Sequence, residues 1–209
     1  MSQVLKIHPI NPQERLIKKS VEIVRQGGVI IYPTNSSYAL ACGTGHKQAI
    51  ERIRRIRQLD EKHNFTLICQ DLSQLSTFSQ VDTNVFRLLK KHTPGPYTFI
   101  LNATRNVPRL LMHPKKRTIG LRIPSHPIAQ ALLHELGEAL ISVSLILPND
   151  DKPLTEPEEM QQRLKNQVDL IIDSGAGGIE ASTIIDFTNG SPEILRSGKG
   201  DPSLLMADF

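Results

Sequence analysis

Hydrophobic residues near the start of the chain follow the period of an amphipathic helix and then form an unbroken run. Ile17, Val21 and Val24 share one helical face. Asn11 is the predicted N-cap of this helix, with a proline at its first position. Residues 29–33, VIIYP, form a continuous apolar stretch with β-branched side chains. Such a stretch is typical of a buried strand.

The same two patterns alternate along the rest of the chain. Further helices are predicted at 47–58, 71–77, 82–92, 107–112, 127–136 and 157–165. Further strands are predicted at 65–69, 97–101, 118–123, 139–147, 168–173, 182–187 and 193–196. This alternation indicates an α/β fold with helices on the faces of a mixed sheet. We expect one domain over residues 1–209, with the glycine-rich segment 174–182 as a loop between two late strands.

Composition excludes several classes of protein. The sequence has no run of 18 apolar residues and no apolar core of a secretory signal near its start, so no membrane span or export is predicted. Cys42 and Cys69 lack zinc-site spacing, and the seven histidines form no HExxH pair, so no structural metal is predicted. Two reduced thiols fit a cytoplasmic protein. A net charge of +4 is mild, so for nucleic-acid binding the position of the charges matters more than their sum.

Several common catalytic motifs are missing from the sequence. No GxGxxG follows a strand, and neither a GxxxxGK[ST] phosphate loop nor a GxSxG nucleophile elbow is present. No pair of acidic residues stands out for hydrolysis. An enzyme with this sequence would act by positioning and electrostatics, and no catalytic residue is assigned.

A cluster of hydroxyl groups follows the strand at 29–33. Thr34, Ser36, Ser37 and Tyr38 lie in the segment PTNSSYAL. Hydroxyl groups just past a strand end are well placed to line a ligand cleft in an open α/β sheet. The alternative is a turn in which the hydroxyls bind their own backbone. Spacing leaves both interpretations open.

Arg57 lies on the apolar face of the predicted helix 47–58. Ile50, Ile53 and Ile56 share one arc of that helix, and Arg57 falls within it. A charge on an apolar face needs a partner or a cavity. Arg57 is therefore predicted to face a ligand, unless it reaches solvent from the end of the helix.

The other arginines of this helix point elsewhere. Arg52 and Arg55 lie opposite the apolar arc, and Arg54 lies at its edge. They fit either a solvated helix face or contacts to RNA phosphates.

Arg122 interrupts an apolar strand pattern in TIGLRIPSHP. An arginine there needs a carboxylate or phosphate partner, so a structural salt bridge and a ligand contact are both open. Ser142 and Ser144 share one face of a later strand. The segments STIID (182–186) and LRSG (195–198) are weaker signals of the same kind.

Six segments, in this order and spacing, resemble the YrdC/YciO family. They are PTNSSYAL, TPGPYTFIL, TIGLRIPSHP, SVSL, ASTIIDF and ILRSG. The sequence resembles the YciO branch of this family more closely than the synthase branch. The resemblance implies a YrdC/RibB-like fold, a twisted mixed β-sheet flanked by helices with an open basic concave face. It also implies binding of double-stranded RNA. The well-studied branch of the family synthesises threonylcarbamoyl-AMP from threonine, bicarbonate and ATP. The product serves the threonylcarbamoyladenosine modification of tRNA, so the resemblance implies this activity as well.

The residue patterns and the resemblance together predict specific sites and ligands. Predicted nucleotide or substrate contacts are Thr34, Ser36, Tyr38, Arg57, Thr118, Arg122, Ser142, Ser144, Ser182 and Arg196. Predicted RNA contacts are Arg52, Arg54, Arg55, Lys115, Lys116 and Arg117. ATP is the expected ligand or substrate, with Mg²⁺ held through its phosphates. RNA, as tRNA or a duplex, is the expected partner, together with other tRNA-modification proteins.

Two positions depart from the synthase branch. Leu59 stands where that branch has arginine, and Ile146 where it has asparagine, while Arg57 replaces a lysine. Losing both polar contacts is expected to cost roughly 2–5 kcal/mol. Lys62 and His63 are candidates to replace the missing cation.

Three functions follow from this pattern. The first is a nucleotide- and RNA-binding protein with weak or no adenylate synthesis, which the two departures favour. The second is an active threonylcarbamoyl-AMP synthase. The third is a non-catalytic partner in a tRNA-modification complex, in which Arg57 and Arg122 would have no reason to face a cavity.

Overall fold

The strands of the protein join into one mixed sheet. The computed structural model describes residues 2–60, 63 and 65–208, and in this part of the chain the sheet has ten strands. They are β1 (Gln3–Lys6), β2 (Ile30–Pro33), β3 (Tyr38–Gly43), β4 (Thr66–Ile68), β5 (Tyr97–Asn102), β6 (Thr118–Arg122), β7 (Leu140–Ser144), β8 (Leu170–Asp173), β9 (Thr183–Asp186) and β10 (Glu193–Arg196).

The order of the strands places distant parts of the sequence side by side. Across the sheet it is β1-β8-β2-β3-β7-β4-β6-β5-β9-β10. β1 and β2 run parallel to β8, β4 runs parallel to β6, and β5 runs parallel to β9. The other neighbouring pairs are antiparallel. The expected mixed α/β sheet is confirmed.

Helices cover both faces of the sheet. They are α1 (Glu14–Arg25), α2 (Lys47–Arg57), α3 (Leu72–Phe78), α4 (Thr83–His92), α5 (Pro127–Leu136), α6 (Pro157–Leu164) and α7 (Pro202–Ala207). On one face α1 and α5 pack together against β2, β3 and β8 through residues such as Val21 and Leu132. On the other face α2, α4 and α6 contribute Ile53, Leu88 and Met160 to a larger core.

The loop at 174–182 shows that the sheet is strongly curved. It connects β8, near one edge, to β9, near the other. Seven strand spacings would separate them by about 34 Å in a flat sheet. A chain of this length reaches that distance only when it is almost fully extended. The loop instead turns at Gly175, where φ is +89°. The two ends of the sheet must therefore approach each other around a concave face.

The predicted start of the first helix was wrong. Helix α1 begins at Glu14, and its N-cap Gln13 makes no capping hydrogen bond through its side chain. Asn11 instead belongs to a turn around His8, whose Nδ1 accepts the backbone N–H of Asn11 at 3.1 Å. The Gln13 side chain accepts the backbone N–H of His8 at 3.1 Å. This local turn takes the place of the first helical turn.

The predicted helix at 107–112 was also wrong. Val107 and Leu111 are buried at helical spacing, but the segment forms a series of turns. A segment of six residues is too short to be stable as an isolated helix, and Pro114 prevents a longer one. The bonds that form are short turn bonds such as Leu111 N–H to Pro108 O, at 2.9 Å. Strands β1 and β3 and helix α7 were not predicted.

An ion pair joins α2 to the start of β8. Arg52 pairs with the Asp169 carboxylate, which also accepts the backbone N–H of Val29 at 2.7 Å. Arg55, one turn further along the helix, is exposed. Arg52 therefore has a structural role that Arg55 does not share.

Arg52→Met is expected to lower the free energy of unfolding by about 0.5–1 kcal/mol, because a half-exposed ion pair is lost. Arg55→Met, the matched control, is expected to change it by less than about 0.5 kcal/mol. Urea unfolding measures both. Equal losses in the two variants would contradict a structural role for the Arg52–Asp169 pair.

Candidate functional site

A cavity lies on the α1–α5 face of the sheet, over the strands that these helices leave uncovered. It encloses about 130 Å³ and opens into a shallower hollow of about 410 Å³, with which it shares His63, Thr66, Thr98 and Ile184. The described residues that line the inner cavity are Thr34, Ser37, Ala39, Arg57, His63, Thr66, Ile68, Thr98, Arg122, Ser142, Val143, Ser144, Ile146, Ser182, Ile184 and Arg196.

Arg122 is the buried cation of this cavity. Its side chain comes from the end of β6, and the residue is only 6% exposed. Nη2 donates to Asn35 Oδ1 at 2.8 Å and to Ser36 Oγ at 3.0 Å, whereas Nε is buried without a partner. Within residues 2–60, 63 and 65–208, no carboxylate pairs with it. Burial lowers the pKa of Arg122 to about 10, so it keeps its charge at neutral pH.

The turn at 34–37 holds this guanidinium in place. Thr34 Oγ1 donates to Ser37 O at 2.7 Å and accepts the backbone N–H of Ser36 at 3.2 Å. Arg122 Nη2 also lies 3.4 Å from Thr34 Oγ1. The turn interpretation of the hydroxyl cluster is therefore confirmed for Thr34. Thr34 binds its own backbone, and it also lines the cavity.

Two further arginines reach the cavity from other elements. Arg57 enters from the end of α2; burial lowers its pKa, and its Nε has no hydrogen-bond partner among the described residues. Arg196, on β10, donates through Nε and Nη2 to Ser182 O at 3.0 and 2.8 Å. The described lining of the inner cavity includes no Asp or Glu. Three guanidinium groups with no carboxylate in this described lining give the cavity a positive charge that suits an anion.

Hydroxyl groups surround the arginines. Thr98 Oγ1 and Ser182 Oγ are 2.8 Å apart. Ser142 Oγ accepts a hydrogen bond from the hydroxyl of Tyr32 at 3.0 Å. Thr66 and Ser144 complete the polar part of the wall. These groups can each donate or accept, which suits a ligand that carries both phosphate oxygens and N–H or O–H groups.

Most of the chain matches one protein-family model. The model covers Sua5, YciO and YrdC proteins, is described as "Telomere recombination", and matches residues 22–198. The chain belongs to the Sua5/YciO/YrdC family. The family resemblance seen in the sequence motifs is therefore confirmed.

Members of the family show how close the likeness is. The chain is 57% identical to YciO of Escherichia coli K12 over 201 residues, covering 96% of this chain and 98% of that protein. It is 55% identical to a Haemophilus influenzae protein, covering 96% and 97%. The crystal structure of E. coli YciO superposes with a TM-score of 0.93 over 96% of this chain and 98% of that one. Pyrococcus abyssi Sua5 ("P. abyssi Sua5 complexed with L-threonine") superposes with a TM-score of 0.91 at 22% identity, over 99% of this chain and 61% of that one. At that identity the likeness shows the fold alone.

Most of the predicted ligand contacts of this family member meet in the cavity. Thr34, Arg57, Arg122, Ser142, Ser144, Ser182 and Arg196 line it. Ser36 does not line it, but it accepts a hydrogen bond from Arg122. Thr118 does not belong to the site. It is buried opposite Asn102 at the other end of β6, about 13 Å from Arg122 at the rise of a strand.

Some site residues were not predicted from the sequence. Thr66 and Thr98 line the cavity, each directly before a core residue of its strand, Leu67 and Phe99. The period-two alternation of FTLIC and YTFIL would have revealed them. His63 lines the cavity, whereas Lys62 lies outside the described residues.

The two positions that depart from the synthase branch behave differently. Ile146 lines the cavity, so an apolar side chain faces the cavity where the synthase branch has an amide. Leu59 is partly buried and packs against the larger core. Of these two positions, only Ile146 lies in the described lining of the inner cavity.

The candidate RNA contacts also separate into groups. Arg52 pairs with Asp169. The Arg54 guanidinium lies over the Phe65 ring, 5.0 Å from its centroid, with its side chain 11% exposed. Arg55 is exposed. Lys115, Lys116 and Arg117 are exposed on the loop between β5 and β6.

Tyr38 holds the loop 174–182 instead of lining the cavity. Its hydroxyl donates to Gly175 O at 2.8 Å and accepts the backbone N–H of Ser174 at 3.1 Å. Gly178 approaches the cavity turn so closely that a Cβ there would lie 2.1 Å from Ser36 O. The loop therefore packs directly on the turn that positions Arg122.

Gly178→Ala is expected to lower the free energy of unfolding by about 1–3 kcal/mol, because its methyl group would overlap the backbone of Ser36. Gly45→Ala is the matched control, since a Cβ at Gly45 meets nothing within 4 Å. Urea unfolding compares the two variants. Equal stability of both would contradict the close contact between the loop and the turn.

Proposed function

We propose that this protein binds an adenine nucleotide in the cavity and RNA elsewhere on its surface, with weak or no threonylcarbamoyl-AMP synthesis. The observation that carries the nucleotide site is the Arg122 guanidinium, buried without a carboxylate partner in the described part of the chain. A buried charge of this kind is costly unless an anion completes it.

A nucleotide phosphate fits the geometry around Arg122. The group already donates through Nη2 to oxygen atoms of Asn35 and Ser36, which fixes its plane. Its Nη1 has no hydrogen-bond partner among the described residues and can donate to phosphate oxygens. Charge-assisted contacts of this kind contribute about 1.5–3 kcal/mol each. Arg57 and Arg196 line the same cavity and can bind further phosphate oxygens. A polyphosphate therefore suits the site better than a single carboxylate.

Magnesium would enter with the nucleotide. The described lining of the inner cavity has hydroxyl groups but no carboxylate, which is a poor set of ligands for a protein-held Mg²⁺. The residues present fit a metal carried by the β- and γ-phosphates. When bound, Mg²⁺ would neutralise phosphate charge, while the arginines orient the chain of phosphates.

An active synthase is the second candidate. The retained arginines and hydroxyl groups favour it, and the P. abyssi Sua5 structure of the same fold is described as a complex with L-threonine. In such a reaction this chain would hold the carboxylate and phosphates on Arg57 and Arg122 and exclude water with Ile146 and Ile184. Weak synthesis is favoured here because Ile146 offers no hydrogen bond to a transition state. A purely non-catalytic partner is disfavoured by the arginines that face the cavity.

Wild-type protein is expected to bind ATP or AMP at or below millimolar concentration in isothermal calorimetry. Arg122→Ala should weaken binding about 10- to 100-fold, because a charge-assisted contact is lost. Arg122→Lys keeps the charge without the planar fork and should fall in between. Arg15→Ala, at an exposed position of α1, is the control. No heat with wild type at millimolar nucleotide would contradict the proposed site.

Ile146→Asn is expected to raise adenylate formation from threonine, bicarbonate and ATP by about 2- to 10-fold, the value of one neutral hydrogen bond. Adding Leu59→Arg should raise adenylate formation further, provided that the arginine side chain leaves the core and reaches the cavity. Product is identified by its mass, and Ile146→Val is the apolar control. A folded Ile146→Asn variant with unchanged turnover would show that the synthesis is limited elsewhere.

A further inference from the structure

The loop between β5 and β6, residues 103–117, carries a concentrated positive charge. Its sequence, ATRNVPRLLMHPKKR, contains five arginine and lysine residues and no acidic residue. These are Arg105, Arg109, Lys115, Lys116 and Arg117, and all five are exposed. None of them forms an ion pair within the described residues. We call this segment the basic loop.

The backbone of the basic loop is fixed by hydrogen bonds. The N–H of Ala103 donates to Arg117 O at 3.0 Å, and the N–H of Arg117 donates to His113 O at 3.0 Å. His113 Nδ1 accepts the backbone N–H groups of Lys115 and Lys116 at 3.3 and 3.1 Å. Val107 anchors the loop in the core. The cations therefore project from an ordered surface, which lowers the entropy lost when they bind a partner.

Two neighbouring hollows share cations of the basic loop. One is lined by Gln80, Asn102, Ala103, Thr104, Arg105, Asn106, Lys116 and Arg117. The other is lined by Arg105, Val107, Arg109, Met112, His113, Pro114 and Arg117. Arg105 and Arg117 belong to both. Adjacent cationic hollows with amide and hydroxyl donors suit consecutive phosphates of one nucleic-acid strand.

The composition of the loop favours a duplex over other anionic partners. It has no Phe, Tyr or Trp on which an unpaired base would stack. His113 is engaged with the backbone. Leu110, 37% exposed, is the one large exposed hydrophobic residue in the described loop, whereas protein interfaces usually have an apolar core. The basic loop is therefore suited to contact a phosphate backbone, as in recognition of double-stranded RNA.

The arginines of α2 are less available for this role. Arg52 is held by Asp169, and Arg54 is largely buried over Phe65. Each would have to leave an existing contact to bind phosphate. Of these three arginines, only the exposed Arg55 offers a phosphate contact without leaving another partner. The basic loop offers five.

We infer that the basic loop is the RNA-binding surface of this protein, that it takes the phosphate backbone of an RNA duplex, and that it works independently of the cavity. The inference rests on the proposed RNA binding and locates it. The loop joins β5 and β6 at the ends away from Thr98 and Arg122, about 13 Å along each strand. A bound nucleotide and a bound duplex therefore do not share residues.

The test measures binding of a labelled 20-base-pair RNA duplex by fluorescence anisotropy across a series of KCl concentrations. For wild type, log K is expected to fall against log salt with a slope of roughly −3 to −5, from three to six phosphate contacts. Arg109→Glu with Lys116→Glu should weaken binding roughly 10- to 100-fold and reduce the slope by about 2. ATP affinity of this variant should stay within about twofold of wild type, which also shows that it is folded.

Two controls separate the location from the total charge. Arg15→Glu with Lys19→Glu makes the same change of charge on α1 and is expected to reduce affinity far less than the loop variant. Arg55→Glu tests α2. Equal losses in the loop and α1 variants, or a larger loss in Arg55→Glu, would overturn the location while leaving RNA binding intact.

Two further outcomes also decide against the inference. If wild type binds no duplex at micromolar protein and low salt, the RNA part of the proposed function fails along with its location. If polyglutamate competes as well as the duplex at equal charge, the basic loop is a surface for acidic polypeptides. If the loop variant loses duplex binding and keeps ATP binding, both the location and its independence from the cavity are supported.

Discussion

The burial of the Arg122 guanidinium is the constraint on which the candidate site depends. The charge comes from the end of a central strand and is fixed by the oxygens of Asn35 and Ser36. These belong to a turn that Thr34 closes by bonding its own backbone. The turn at 34–37 also supports the loop 174–182, which packs on it. A cation, a turn and a loop from three regions of the sequence thus form one unit, which a bound anion would complete.

Much of the fold follows from local pattern, because apolar runs and helical periods reflect burial directly. The buried strand at 29–33 and the helix at 127–136 were found this way. The failures have physical causes. Val107 and Leu111 have helical spacing, but the segment before Pro114 is too short for a stable helix, and only turns form. The edge strand β1 is mostly exposed, so its pattern carried no burial signal. Asn11 had the right chemistry for a cap, but its backbone N–H is held in the turn around His8.

The site was predictable where a polar residue interrupts an apolar pattern. Arg122 and Arg57 both stood out for this reason, and both line the cavity. Thr118 was misplaced because a motif does not say which end of a strand meets the ligand. The pairing of Arg52 with Asp169 joins residues far apart in sequence and has no local signature. Its detection requires the sheet order, which places β8 beside β2.

That sheet order also dictates when the cavity forms during synthesis of the chain. β1 pairs with β8 through contacts such as Gln3 with Leu170, so the first strand waits for most of the chain to emerge. The cavity needs Thr34 near one end of the sequence and Arg196 near the other. Pairings of such long sequence separation make folding slow compared with helical proteins of similar size. The complete cavity is consequently among the last features that a nascent chain acquires, and a nucleotide bound there would select fully folded molecules.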